Sequence, residues 1–314
     1  MEDARWYIGE IRTFDQCQHV TSHGGATGSQ LLRVTGGLMK PKGMIQIGLF
    51  SLAMVVFLLA PWNTHAWEKL AEGLFVGEFD PSRKSPVSND SIVVLKIDPE
   101  IYAFRLLSTS EHGDKPRTAR QWADDFGLLA VINASMYQED DKTSTGYMKN
   151  FGHINNGQVN SRFGAFMVLH PNRPGIPRGQ IIDRCHQGWK KIIQEYDTVI
   201  QNYRMISLEG DNVWKPSHKI HSAACVGMDT EGHVLFIHSR SPFSVHDLNQ
   251  ILLGLPIAIK NAMYVEGGPE ATLYFNVNGK ARAWVGTYEV NATEHDPNRW
   301  GSKIPNVIGI VKRK

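Results

Sequence analysis

The chain has little cysteine, no excess of charge and no block of basic residues. Its 314 residues include 3 cysteines and carry a formal net charge of +2. The cysteines lack the spacing of a metal-ligand motif, so no cysteine-based metal site is expected. A near-neutral balance without a basic block gives no support for a nucleic-acid partner. What is present is a globular composition, 42% hydrophobic and 20% charged, which is enough for a sizeable core.

Linkers, repeats and low-complexity tracts are also absent from residues 67–314, so we expect one domain there. The segment before it differs. Lys40 and Lys42 precede an apolar run over 44–60, and the small residue Ala66 follows. This order predicts a secretory signal peptide over 39–66, cleaved near Ala66. The apolar run is short for a membrane span, so an uncleaved anchor, the only case with a membrane partner, is the alternative.

The signal begins unusually deep in the chain, because residues 1–38 are polar, Gly-rich and patternless. We interpret them as a mis-called start, with translation beginning at Met39, or as a disordered extension. The mature protein is then expected to be periplasmic or secreted. In such an oxidising compartment Cys185 and Cys225 form one disulfide or remain two buried thiols, and the sequence leaves both open.

The pattern over 67–314 predicts an α+β fold, a single domain of mixed, mainly antiparallel sheet with a few packed helices. Apolar runs predict strands over 91–97, 103–107, 128–132, 165–169 and 234–238. Thr118 with Gln121 three residues later predicts a capped helix, and Ser244 with Asp247 predicts a second one that ends at Gly254. Many strands without sustained βαβ alternation favour α+β.

One turn stands out chemically. The apolar run over 261–265 ends on Glu266, two glycines follow, and Glu270 precedes the next apolar run. Glycine lets the backbone approach a ligand closely, so a carboxylate at a strand end beside Gly267 and Gly268 is a plausible catalytic arrangement. An ordinary hairpin with solvated glutamates is the alternative.

Three motifs in order carry a family resemblance. They are Asn133-Ala134-Ser135-Met136-Tyr137 with Gly146 downstream, Gln201-Asn202-Tyr203-Arg204-Met205-Ile206, and Glu266-Gly267-Gly268-Pro269-Glu270-Ala271-Thr272-Leu273. Together, over roughly 92–275, the chain resembles the phosphodiester glycosidase family, and more closely its bacterial, exported members. The chain departs from the family pattern at several positions. Glu266 replaces an Asp, Pro269 and Glu270 replace Gly and Ser, Ser135 replaces a Gly, and His221 stands near a frequent Arg.

The resemblance implies a site. Catalysis is expected from Glu266 as base or nucleophile, with Asn133 and Glu270. Substrate contacts are expected from Tyr137 stacking on the sugar, from Arg204 and His221 on the phosphate, and from Gly267, Gly268 and Thr272. Each residue also has an ordinary interpretation: Asn133 as a turn residue, Glu270 as an exposed acid, Arg204 as a surface residue and His221 as a structural histidine.

We expect no cofactor. The acidic loop Glu139-Asp140-Asp141 lacks the spacing of a calcium loop, so a solvated loop is favoured over its alternative, a weakly bound divalent cation.

The expected function is an exported hydrolase that cleaves a sugar from a glycosyl-1-phosphodiester or a related cell-envelope glycan. A phosphate group leaves as a stable anion, so one well-placed carboxylate with anion-stabilising groups could suffice. The alternative is a catalytically silent carbohydrate-binding envelope protein of the same fold. Either way, the partner is a sugar phosphate or a glycan.

Overall fold

Strands are the main regular structure of the computed structural model, which describes residues 67–288 and 301–314. The described residues belong to one compact unit. The predicted extension over 1–38 and the predicted signal peptide over 39–66 lie outside the described residues. No helix of the described ranges is long and apolar enough to cross a membrane.

The strands, in chain order, are β1 (Glu68–Ala71), β2 (Leu74–Phe79), β3 (Ile92–Ile97), β4 (Tyr102–Ser108), β5 (Ala130–Asn133), β6 (Met148–Asn150), β7 (His153–Asn156), β8 (Ala165–Pro171), β9 (Gly179–Asp183), β10 (Tyr196–Ile206), β11 (His221–Asp229), β12 (Val234–Phe243), β13 (Ile259–Gly267), β14 (Thr272–Val277), β15 (Lys280–Val285) and β16 (Asn306–Lys312). The α-helices of the described residues are α1 (Ala119–Phe126), α2 (Trp189–Ile192) and α3 (Val245–Gly254), and two short 3₁₀ turns span Ile193–Glu195 and Gly268–Glu270.

Two antiparallel sheets contain all these strands. The large sheet has 11 strands in the order β1-β2-β3-β12-β11-β13-β10-β6-β7, with β8 on β10 and β9 on β8. The small sheet has 5 strands in the order β15-β14-β5-β16-β4. Each pairing between these strands is antiparallel. The α+β prediction is therefore confirmed in part, since the described fold is mostly β.

The layers explain why the central strands are apolar on both faces. In β3, Val93 and Leu95 belong to the core between the sheets, whereas Ile92 and Val94 belong to the cluster that packs under α3. Helix α1 covers the outer face of the small sheet through Trp122. A strand buried on both sides shows a continuous apolar run instead of alternation. The order is therefore helix, large sheet, small sheet, helix.

Both predicted helix caps are confirmed. The Thr118 hydroxyl accepts from the Gln121 amide, and the Gln121 side chain accepts from the Thr118 amide. The Ser244 hydroxyl accepts from the Asp247 amide at the start of α3. These contacts satisfy amides that have no partner within the first helical turn.

Cys225 lies in β11 with 0% exposure and is a free thiol. It therefore forms no disulfide with Cys185, and of the two alternatives the thiol interpretation holds for Cys225. Burial in apolar surroundings raises the pKa of this thiol, which makes it a poor nucleophile.

Candidate active site

The turn after Glu266 joins the two sheets. Strand β13 belongs to the large sheet and β14 to the small sheet, and the 3₁₀ turn Gly268–Glu270 connects them. The hairpin alternative is therefore wrong, because hairpin strands pair with each other. Both glutamates lie where the chain crosses from one layer to the other.

Glu266 occupies an irregular position in β13. Along β11, Ala224 faces Glu266 whereas Cys225 faces Tyr264, so Val265 is an extra residue in the ladder. Such bulges re-aim the neighbouring side chain and are common beside active sites. The Glu266 side chain is buried, and its Oε1 accepts from the Gly267 amide at 3.0 Å.

The environment of Glu266 favours its neutral form. Burial raises the pKa of the carboxyl well above its ordinary value, and the negative charge of Glu270 raises it further. The hydrogen bond from the Gly267 amide opposes this only in part. A carboxyl group that keeps its proton to a higher pH than an ordinary glutamic acid is suited to donate a proton.

Asn133 holds the turn. It is the last residue of β5 and is 1% exposed. Its Nδ2 donates to the Glu270 carbonyl at 3.0 Å, and its Oδ1 accepts from the Thr272 amide at 2.7 Å. The Thr272 hydroxyl donates to the same Glu270 carbonyl at 3.0 Å. Asn133 and Thr272 therefore fix the backbone on which Glu270 stands.

Glycine is required where the turn is most crowded. A Cβ on Gly267 would lie 1.8 Å from the Tyr264 hydroxyl and 2.9 Å from His221 Cδ2. Gly268 has φ +66°, a conformation that residues with a Cβ rarely adopt. A Cβ on Gly286 would lie 2.0 Å from the Gly268 carbonyl oxygen. The backbone of the turn at Gly267 and Gly268 therefore packs closely against its neighbours, as the prediction from the two glycines expected.

Tyr137 shares the surroundings of the two glutamates. Burial raises its pKa, and the negative charges of Glu266 and Glu270 raise it further. An isolated bridge pairs Tyr137 with Ser144, whose hydroxyl lies 2.8 Å from that of Ser135. The structure thus brings the first and third sequence motifs together, and Ser135, a departure from the family pattern, helps to hold the Tyr137 segment.

Arg204 and His221, the two predicted phosphate contacts, lie in different settings. Arg204 Nη1 donates to both carboxylate oxygens of Asp183, at 2.8 and 3.0 Å. The two side chains are 4% and 2% exposed. Arg204 is therefore neither a solvated surface residue nor open to solvent. A buried pair of this kind is difficult to break, because either partner alone would be a buried charge.

His221 lies beside the turn, with its ring edge-on to Tyr264 at 5.6 Å. Burial lowers its pKa to about 4, so the imidazole is uncharged at neutral pH. His221 therefore packs against the turn as a neutral ring and does not supply a positive charge for a phosphate group.

The surroundings include two residues that the sequence did not single out, His238 and Ser222. His238 Nε2 lies 3.1 Å from the Ala271 carbonyl oxygen, directly after Glu270. The Ser222 hydroxyl donates to the Arg240 carbonyl at 2.6 Å and accepts from the Thr287 and Tyr288 amides. The sequence feature that could have identified His238 is that it is a polar residue in the otherwise apolar run over 234–238, at a position that faces the core.

Within residues 67–288 and 301–314, the acidic loop and two further groups are the candidates for binding a cation. In the predicted loop, the Asp140 carboxylate accepts from the Lys142 and Thr143 amides, as in an ordinary turn. Two groups of three, Asp183 with His186 and Glu209, and Asp229 with Glu231 and His233, have ligand atoms within 4.8 Å of one another. Asp183 is already bound by Arg204, and Asp229 accepts from the Glu231 and His233 amides.

A comparison with family models decides the identity of this domain. The phosphodiester glycosidase model matches residues 126–311, more than half of the chain. The chain belongs to the phosphodiester glycosidase family. The predicted resemblance is thereby confirmed, although the match starts later and ends later than the motifs suggested. Members of this family are hydrolases. Among curated proteins, none matches the chain.

Solved structures show the same fold in this phosphodiester glycosidase family member. One is the zebrafish N-acetylglucosamine-1-phosphodiester alpha-N-acetylglucosaminidase catalytic domain, auto-inhibited by its pro-peptide, with TM-score 0.54 and 14% identity over 79% of this chain and 86% of that chain. Another is a hypothetical protein from Synechocystis, with TM-score 0.52 and 13% identity over 77% of this chain and 63% of that chain. At such identities the likeness establishes the fold alone.

Proposed function

We propose that this protein is an exported hydrolase that cleaves a sugar from a glycosyl-1-phosphodiester or a related cell-envelope glycan. The observation that carries the proposal is the position of Glu266, buried at a bulged strand end with a raised pKa, beside the charge of Glu270. Glycoside cleavage uses one carboxyl group as acid and a second as base or nucleophile. Family membership supports the reaction class.

The raised pKa changes the role we assign to Glu266. The sequence suggested a base or nucleophile, which must be ionised. A carboxyl group held neutral is better suited to be the general acid. In this scheme Glu266 donates its proton to the leaving oxygen as the C1–O bond breaks, and the Glu270 carboxylate activates water or attacks C1. Asn133 and Thr272 position Glu270, and Tyr137 lies against the sugar.

A phosphodiester substrate makes the acid less critical. A phosphate leaving group carries its negative charge without immediate protonation, so loss of Glu266 should slow a phosphate leaving group less than an alkoxide. Comparing the rate loss of a Glu266 variant for the two leaving groups on one sugar therefore tests whether Glu266 acts as the general acid, and not only whether the enzyme needs it.

Turnover is the decisive test. Free sugar release is measured with a panel of nucleotide sugars and envelope polymers for the wild type, Glu266→Gln, Glu270→Gln and the control Glu231→Gln, whose side chain is 69% exposed on another turn. We expect a loss of kcat of ~10²–10⁴-fold for Glu270→Gln, and for Glu266→Gln on substrates with an alkoxide leaving group. The loss for Glu266→Gln on nucleotide sugars should be smaller, and the control should show none.

Each outcome has a clear meaning. A wild type that binds these glycans without releasing sugar supports the silent carbohydrate-binding protein instead. A Glu266→Gln variant with full rate removes Glu266 from the mechanism. Export is tested separately, by intact-mass measurement of the native protein. A mass that corresponds to a chain starting at Trp67 would demonstrate cleavage after Ala66 and would rule out a membrane anchor.

A further inference from the structure

A groove of about 570 Å³ lies between the loop that joins β8 to β9 and Glu100 of the turn before β4. Its lining includes Asn172, Arg173 and Arg178, so two guanidinium groups border the same space. The residues that we assign to catalysis do not line this groove. A groove bordered by arginines is a candidate for binding an anion.

The small sheet shows how far the groove lies from the candidate active site. At the start of β16, the Asn306 side chain accepts from the Ser135 amide, next to the residues that hold the catalytic turn. At the other end of β16, Lys312 pairs with Tyr102 of β4, which follows Glu100 by two positions. The strand between Asn306 and Lys312 spans about 20 Å. The groove is therefore separate from the candidate active site.

Arg178 uses only part of its guanidinium group for contacts within the protein. Its Nε donates to Glu100 Oε2 at 2.6 Å, and the two side chains are 42% and 66% exposed. Within residues 67–288 and 301–314, no other hydrogen bond engages this guanidinium. The N–H donors of Nη1 and Nη2 therefore remain for a ligand. An exposed ion pair is weak, so Glu100 orients Arg178 without preventing it from binding an anion.

Arg313 brings a second guanidinium group to the same turn. Its amide donates to the Ile101 carbonyl at 2.9 Å, and its Nε donates to the Pro99 carbonyl at 3.0 Å. Burial lowers the pKa of Arg313, and the nearby positive charge of Arg178 lowers it further, against a smaller opposite effect of Glu100. Within the described part of the chain, Arg313 forms no ion pair. An anion bound between the two guanidinium groups would relieve their repulsion.

Arg173 adds a third guanidinium group to the lining. Its Nε and Nη2 donate to Glu195 Oε1 at 3.2 and 2.8 Å, and its side chain is 52% exposed. Its Nη1 makes no hydrogen bond within the described ranges. The three arginines Arg173, Arg178 and Arg313 are thus accompanied by two carboxylates, those of Glu100 and Glu195. This set of side chains has an excess of positive charge.

The loop that carries Arg173 and Arg178 is held in one conformation. Its sequence over 171–178 contains three prolines, and each proline ring fixes the backbone angle φ. The Asn172 amide donates to the Glu195 carbonyl at 2.9 Å, and the Tyr196 hydroxyl donates to the Pro177 carbonyl at 2.9 Å. A loop that is already ordered loses little conformational entropy when a ligand binds.

We propose that this groove binds a phosphate group through the Nη donors of Arg178 and Arg313, with Arg173 as a further contact. A planar guanidinium matches the oxygens of phosphate and binds two of them at once. The phosphate is either free or part of an anionic phospholipid headgroup, because both present the same oxygens. This inference does not rest on the proposed function, since the groove is separate from the candidate active site.

Calorimetry with inorganic phosphate tests the site, at an ionic strength held constant with sodium chloride so that general screening is the same. The double variant Arg178→Gln with Arg313→Gln should lose one phosphate site or bind there at least ~10-fold more weakly than the wild type. Arg178→Lys keeps the charge but not the fork of donors and should be intermediate. Arg282→Gln is the control, because Arg282 is also exposed but pairs with Glu78.

Vesicles identify the source of the phosphate. Cosedimentation of the wild type with phosphatidylglycerol vesicles but not with phosphatidylcholine vesicles, lost in the double variant, supports the site as a lipid headgroup site. Phosphate binding without cosedimentation supports it as a site for free phosphate. The number of bound phosphates separates this groove from the candidate active site, whose phosphate would remain in the double variant. No phosphate binding by the wild type, or the same affinity and number of sites in the double variant, overturns the proposal.

Discussion

Asn133 and Glu270 lie 137 positions apart in the chain, and Asn133 Nδ2 donates to the Glu270 carbonyl at 3.0 Å. The same side chain accepts from the Thr272 amide at 2.7 Å. One amide group therefore fixes both ends of a short segment, and it does so from a strand of the small sheet. The position of Glu270 depends on this contact and not on the turn alone.

Replacing Asn133 should cost both stability and activity. Asn133→Ala leaves a buried carbonyl and a buried amide without this partner, and we expect a loss of about 2–4 kcal/mol in the free energy of unfolding. Denaturant unfolding measures it. Asn172→Ala is the control, because Asn172 also donates to a backbone carbonyl, that of Gln194, but is exposed. A loss no greater than that of the control would contradict the role we give to Asn133.

We expect the effects of substitutions at Gly267 and Tyr264 on stability to be coupled. Gly267→Ala places a Cβ 1.8 Å from the Tyr264 hydroxyl, and overpacking of this kind costs about 1–3 kcal/mol. Tyr264→Phe removes the oxygen, so the double variant should recover part of the loss. Ring carbons of Tyr264 and His221 remain near 3 Å from the new methyl group, as the 3.1 and 2.9 Å distances show, so recovery is incomplete.

Thermal unfolding of the four proteins gives the coupling energy, which we expect to be at least ~0.5 kcal/mol. Gly152→Ala is a matched control, since nothing lies within 4 Å of a Cβ built there. Strictly additive effects of the two substitutions would show that the hydroxyl is not what excludes a side chain at position 267.

Local features of the fold could be predicted from the sequence because their causes are local. The capping pairs Thr118–Gln121 and Ser244–Asp247 form within one helical turn, so residue spacing is enough to identify them. The continuous apolar run of β3 likewise reports burial on both faces. The run over 128–132 was likewise correctly predicted to contain a strand, and Asn133 is the last residue of that strand.

Contacts between distant segments could not be predicted in this way. Nothing near Arg204 indicates that Asp183, on another strand, binds it. Nothing near Glu266 indicates that the strands on either side of the turn join different sheets. The extra residue Val265 depends on pairing with β11, and the long-range pairing of strands decides such registers. The neutral state of His221 follows from burial, which the sequence does not display.

His238 and His221 should make the protein sensitive to acid. Burial lowers the pKa of each imidazole to about 4, from an ordinary value of 6.5. The unfolded chain therefore binds more protons than the folded protein between these two values. Stability is present above pH ~6.5 and is lost as the pH falls towards ~4, by roughly 3 kcal/mol for each group at most.

Urea unfolding between pH 4 and pH 7 measures this slope, and His238→Gln should flatten it. Glutamine does not titrate, and its Nε2 can still donate to the Ala271 carbonyl, so the turn should keep its geometry. His218→Gln, at an exposed position, should leave the slope unchanged. An unaltered slope in His238→Gln would mean that this imidazole is not held neutral.

Glu266 predicts the opposite pH dependence. Its folded-state pKa is raised well above the ordinary value of 4.5, so the folded protein binds more protons than the unfolded chain above that pH. Stability therefore falls as the pH rises from ~4.5 through the folded pKa. Glu266→Gln should remove this loss, and the variant should be more stable than the wild type at neutral pH although we expect its kcat to be lower.

The same carboxyl group should set the alkaline limit of the reaction. If Glu266 is the general acid, kcat for a neutral alkyl glycoside, which has an alkoxide leaving group, declines as the pH rises through the pKa of this carboxyl group. That decline should be weaker for a nucleotide sugar, whose leaving group needs less proton transfer. Profiles of kcat from pH 4 to pH 9 on both probes provide the measurement. A Glu266→Gln variant that is less stable than the wild type at neutral pH, or a wild-type rate that rises through this range on the neutral probe, would assign the proton to another residue.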